Sequence, residues 1–131
     1  MRMLRFILLA VIMFSPGVAL PDDAKAIAKL ITEINSAAKV NKARMLRIMV
    51  INTDVAASTY EAEKAATGLS YGDLYVAHAL VLATNKSFEK IVALKASGHS
   101  WAGIAKIHNV SLQGSTAVLR EILENPPDRS R

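Results

Sequence analysis

The stretch Ala66-Thr67-Gly68-Leu69-Ser70-Tyr71 reads as the end of one helix and the start of another. Glycine enters the left-handed backbone region without a side-chain penalty and so closes a helix C-terminus. A serine two residues later offers its oxygen to the free N–H groups of the next helix. Asp73, three residues after Ser70, completes a capping-box pair. Thirty residues downstream, Ala96-Ser97-Gly98-His99-Ser100-Trp101 repeats the arrangement, and Leu74 then aligns with Ile104 and His78 with His108. Two Gly-x-Ser corners follow, one on Gly68, Ser70 and Tyr71, the other on Gly98, Ser100 and Trp101, each with its aromatic packed over the joint.

Around these corners the apolar residues recur at helical spacing. Pro21-Asp22-Asp23 opens a helix whose Ile27, Leu30, Ile31, Ile34 and Ala38 share a face. Lys39, Lys42, Arg44 and Arg47 then follow without an acid, and at the apolar Ile48-Met49-Val50-Ile51 periodicity is lost, so the helix is expected to be deeply packed there or to end near Asn52. Thr53 or Asp54 is then expected to cap an alanine-rich segment over residues 55–67. From Tyr71 to Ala83 the strongly polar side chains are Asp73 and His78, and a helix apolar all round belongs in the middle of a bundle. Thr84-Asn85-Lys86 breaks it, and Ser87 caps a helix with Phe88, Ile91, Val92 and Leu94 inside. Trp101, Ile104, Ala105 and His108 form the stripe of the next. A last helix after Gly114 buries Val118, Leu119, Ile122 and Leu123 and stops before Pro126-Pro127. Strand-type alternation is scarce. The expected fold is all-α, a compact bundle of five to six helices in one domain over residues 20–125, with residues 126–131 a disordered tail.

The N-terminus carries a different signal. Arg2 and Arg5 precede an unbroken apolar run over residues 6–14, and Ser15-Pro16-Gly17 breaks it before the small Ala19. That is the layout of a secretory signal peptide over residues 1–19, cleaved near Ala19, and the run is too short to span a bilayer. Cleavage removes two of the 16 basic residues against 11 acidic ones, so the net charge falls from +5 to +3. The case for nucleic acid weakens accordingly. There is no cysteine, so the core alone holds the fold.

The residues that carry chemistry are sparse. His78 and His108 are weak candidates for a metal, since they occupy equivalent points of the two copies with Asp73 or His99 as further donors. No His-x-x-x-His pair accompanies them. Ser70, Ser87 and Ser100 are explained as caps, and Glu61 and Glu63, two apart on a helix, point to different faces. No catalytic residue and no cofactor is implied. Lys39, Lys42, Arg44 and Arg47 beside Met45, Leu46, Ile48 and Met49 are candidates for contact with an anionic lipid surface. Tyr71, Tyr75 and Trp101 are candidates for a ligand groove or for corner packing. Residues 91–119 also resemble a helix-turn-helix. However, His108-Asn109 replaces the usual apolar residue and glycine, Gly114 interrupts the reading helix, and residues 111–119 hold no Lys or Arg to meet phosphates.

The run Thr67-Gly68-Leu69-Ser70-Tyr71-Gly72-Asp73-Leu74-Tyr75-Val76-Ala77, followed by Lys86-Ser87 and by Ser97-Gly98 with Trp101 and Ile104-Ala105, resembles an uncharacterised group of small exported helical proteins of Gram-negative bacteria. The likeness spans residues 52–114. Asn85 stands where the group has glycine, and Ala102 replaces a second glycine beside the tryptophan. The resemblance implies a periplasmic or secreted location and nothing catalytic. The expected function is that of an exported, non-enzymatic helical binding protein whose partner is a protein, an envelope component or a small ligand. The alternatives are a helix-turn-helix DNA-binding protein and, third, a small metal-binding protein or enzyme.

Overall fold

A computed structural model of the chain describes residues 20–112 and Leu119. The expected leader, the reading helix of the DNA-binding alternative apart from Ser111, Leu112 and Leu119, and the C-terminal tail lie outside the described residues. The remainder forms an all-α bundle of six helices: α1 Leu20–Val40, α2 Lys42–Thr53, α3 Ala57–Thr67, α4 Tyr71–Thr84, α5 Phe88–Ala96 and α6 Trp101–Ile107.

Helix α4 is the hub and packs against all five others, most extensively against α1. Gly72, Leu74, Tyr75, Val76, Ala77, His78, Ala79 and Leu80 are all buried, as its lack of a polar face requires. From α1 come Ile27, Leu30 and Ile34, from α2 Met45, Leu46 and Met49, from α3 Tyr60, from α5 Ile91, and from α6 Trp101, Ile104 and Ala105. Leu112 and Leu119 also reach this core. Gly72 sets the closeness of α1 and α4: a Cβ there would lie 2.6 Å from the Ile31 carbonyl oxygen and 2.8 Å from its Cα. The Gly72 N–H donates to Asn35 Oδ1 across the same contact, at 2.8 Å.

Both corners form as expected, and they belong to a larger series. Gly68 (φ 78°) and Gly98 (φ 110°) are left-handed, and Ser70 and Ser100 cap α4 and α6 two residues later. Asp54 (φ 60°) and Asn85 (φ 62°) hold the same position after α2 and α5's predecessor α4, each followed at the same distance by an N-cap, Ala56 or Ser87. A hydroxyl residue immediately precedes each of these left-handed residues. Thr53, Thr67 and Thr84 donate to the carbonyl four residues back, and Ser97 to that of Leu94. Asn109 (φ 60°) with Ser111 two residues on has the same spacing. The bundle is thus wound with one link used repeatedly: hydroxyl, left-handed residue, spacer, N-cap.

Two expectations are corrected. The first helix is not continuous to Asn52, because Asn41 breaks it into α1 and α2. Asn41 leaves helical geometry (φ −153°, ψ 90°), and its Oδ1 accepts from the Arg44 N–H at 3.1 Å. A short amide competes with the backbone ladder in this way. Neither Thr53 nor Asp54 caps the start of α3. Thr53 is the buried last residue of α2, and Asp54 closes that helix with its N–H on the Val50 carbonyl at 2.7 Å. The N-cap of α3 is Ala56, which has no side-chain oxygen to offer. In the apolar run of α2, Met49 is buried but Ile51 is 76% exposed.

Candidate functional site

A chain of hydrogen bonds and ring contacts links α2 to α5. The Thr53 hydroxyl donates to the Met49 carbonyl at 2.7 Å, which leaves its oxygen to accept from the Tyr60 hydroxyl at 2.6 Å. The Tyr60 and His78 rings meet edge to face with centroids 5.2 Å apart. Imidazole Nε2 of His78 donates to Glu63 Oε1 at 2.7 Å. The His78 ring also stacks on Phe88, centroids 4.6 Å apart and planes 10° from parallel. His78 therefore sits between two aromatics with its polar edge satisfied by a carboxylate, which is what a 6% exposed imidazole requires. Burial raises the Tyr60 phenol well above its ordinary range and pushes Tyr75 up to about 12.

Glu63 and Phe88 also line an open trough of about 850 Å³ between α3 and α5. Ala62 and Ala66 form one wall, and Val92, Ala93 and Ala96 the other, so the lining is mostly apolar. Helix α4 touches both walls, and its His78 contacts Glu63 on one and Phe88 on the other. Among the described residues of the lining the charged ones are Glu63 and Glu89, both acidic on a chain with net charge +5. Separate walls on two helices are invisible to periodicity, although Ala62 with Ala66 and Ala93 with Ala96, small residues four and three apart on one side of a helix, were a signal of it.

The two candidate metal histidines go to different neighbours. His78 pairs with Glu63, whereas His108 Nδ1 bonds the Ile104 carbonyl of its own helix at 2.9 Å. His99 approaches the Ser97 hydroxyl, and Asp73 is engaged by Ser70 and by Trp101 Nε1. Among the described residues no group of three or more His, Asp and Glu side chains is placed to hold a metal ion. Of the three aromatics, Tyr75 and Trp101 are buried in the core, and Tyr71 is half-buried at the first corner.

The break at Asn41 places Lys39 on α1 and Lys42, Arg44 and Arg47 on α2. Lys42 Nζ lies 3.1 Å from Glu61 Oε2, while the Tyr71 hydroxyl donates to Glu61 Oε1 at 2.7 Å. The Tyr71 bond, and then Lys42, hold the Glu61 carboxyl below its usual range, and the bond to Glu61 raises Lys42. Arg44 is half-buried, with Nη2 shielded from solvent and unpaired among the described residues, and Arg47 is exposed. No helix among the described residues is long and apolar enough to cross a membrane. Glu61 and Glu63 serve separate partners, as their spacing implies. Compared with protein-family models, curated proteins and solved structures, the chain finds no match.

Proposed function

We propose that the chain is an exported, non-enzymatic helical binding protein of the bacterial envelope, and that the trough between α3 and α5 receives an amphipathic helix of a partner protein. The observation that carries this reading is the trough itself. Its walls run the length of two helices, and its alanines allow a close backbone approach along them. Its charge selects the occupant: small apolar residues against Ala62, Ala66 and Ala93, and a Lys or Arg against Glu89. Export rests on the leader in residues 1–19 and on the resemblance carried by residues 67–77.

A photo-crosslinking residue placed at Ala66 or Ala93 in the native host, with the exposed Ala28 of α1 as control, tests the reading. The expected product joins the trough positions to a helical segment with an apolar face and a basic residue, in reduced yield when Glu89→Lys is added. Equal yields at Ala28, or a product joining two copies of this chain, would overturn it. The same material is expected to begin at Leu20, and a recovered protein retaining Met1 in the cytosol would overturn export.

A further inference from the structure

A second concavity, of about 390 Å³, lies on another face where the end of α1 meets α3 and the first turn of α4. Its described lining is Asn35, Ala38, Lys39, Lys64, Ser70 and Tyr71, which includes two ammonium groups and no carboxylate. The nearby acids are engaged. Glu61 is held by the Tyr71 hydroxyl and Lys42, with Lys64 adding a smaller attraction, and Asp73 accepts from Ser70 and from Trp101. Lys64 Nζ rests 5.1 Å from the Tyr71 ring centroid, which positions the charge without neutralising it. Asn35 is oriented by the same contact that joins α1 to α4: its Oδ1 takes the Gly72 N–H, so its Nδ2 is left as a donor with no partner among the described residues.

We infer that this concavity binds a phosphate-type oxyanion, held by Lys39 and Lys64 and oriented by the Asn35 amide. Two cations from separate helices and one fixed neutral donor are complementary to a tetrahedral oxyanion, whose charge and several acceptor oxygens they satisfy together. The site is independent of the trough. It also differs from a basic strip on one helix, because Lys64 replaces Lys42, whose charge Glu61 already meets. The oxyanion belongs either to free phosphate or to an anionic lipid headgroup.

Two titrations of the mature chain at low salt distinguish these sources. In the first, inorganic phosphate is followed by amide chemical shifts. Saturable changes centred on the Asn35 side chain, Lys64 and Tyr71, weakened at least tenfold in Lys39→Gln/Lys64→Gln and retained in Lys64→Arg, assign a free oxyanion. In the second, co-sedimentation with phosphatidylglycerol vesicles but not with phosphatidylcholine, lost in the same double variant, assigns a headgroup. Either result supports the site. Weak, non-saturating shifts together with vesicle binding that is absent or unchanged in the double variant would overturn it.

Discussion

Trp101 Nε1 donates to Asp73 Oδ1 at 2.8 Å, so the aromatic that opens α6 is tied to the carboxylate that caps α4. The other oxygen of Asp73 accepts from the Ser70 hydroxyl at 2.9 Å and the Ser70 N–H at 3.4 Å. One side chain thus closes the first corner and anchors the second, with Lys95 Nζ 5.1 Å from the centroid of the indole ring. The two corners share a geometry but not a chemistry. At the position of Asp73 the second corner has Gly103, whose N–H is taken by Ser100 alone.

The shared link identifies its own defective copies. Ala56 stands where the other links have serine, and Asn85 is left-handed where Gly68 and Gly98 are glycine. Ala56→Ser is expected to stabilise by about 1 kcal/mol through the missing cap. Asn85→Gly is expected to stabilise by up to ~1 kcal/mol by relieving the left-handed strain. Urea unfolding of each variant measures both, and destabilisation by either would contradict the common geometry of the links.

Gly72 has the opposite requirement, since its neighbour is backbone. Gly72→Ala places a Cβ 2.6 Å from the Ile31 carbonyl oxygen, which has no rotamer to escape into, so α1 and α4 must separate. A loss of about 3 kcal/mol, at the upper end of overpacking costs, is expected, with Tm lower by about 10–20 °C. Scanning calorimetry checks it, and a Tm within about 2 °C of the parent would exclude the close crossing.

What the sequence disclosed and what it withheld divide by range. Caps are local chemistry, so Ser70 with Asp73, Ser87 and Ser100 were legible, as was the burial of α4 from its lack of a polar face. Asn41 was missed because it lies among good helix formers and acts through one hydrogen bond. Asp54 was misread because a short carboxylate is suited both to an N-cap and to a left-handed C-terminal residue. The recurrence of the link was half seen, since Asn85 and Asp54 take the glycine conformation without being glycine. The Glu63–His78 bond and the trough depend on how α3 and α5 straddle α4, and no spacing within one helix encodes that.

Burial of two phenols predicts a loss of stability at alkaline pH. Tyr75 is pushed up to about 12 and Tyr60 is raised too, both chiefly by burial, whereas in the unfolded chain they ionise near 10.0. The unfolded state then releases protons that the native state retains, so stability falls as pH rises. This contribution is complete below pH ~10 and is lost as pH climbs towards ~12. Unfolding midpoints measured across that window are expected to drop, and less steeply in Tyr75→Phe. An identical drop in that variant would contradict the assignment.

The central structural claim is that the corners are interlocked through one carboxylate, and a double-mutant cycle on Asp73→Ala and Trp101→Phe tests it most directly. Each substitution removes one end of the indole–carboxylate bond, and the cycle cancels the separate loss of the α4 cap. A coupling of about 1.5–3 kcal/mol is predicted, as for a hydrogen bond to a charged group. Losses that add to within about 0.5 kcal/mol would mean that the two corners stand independently.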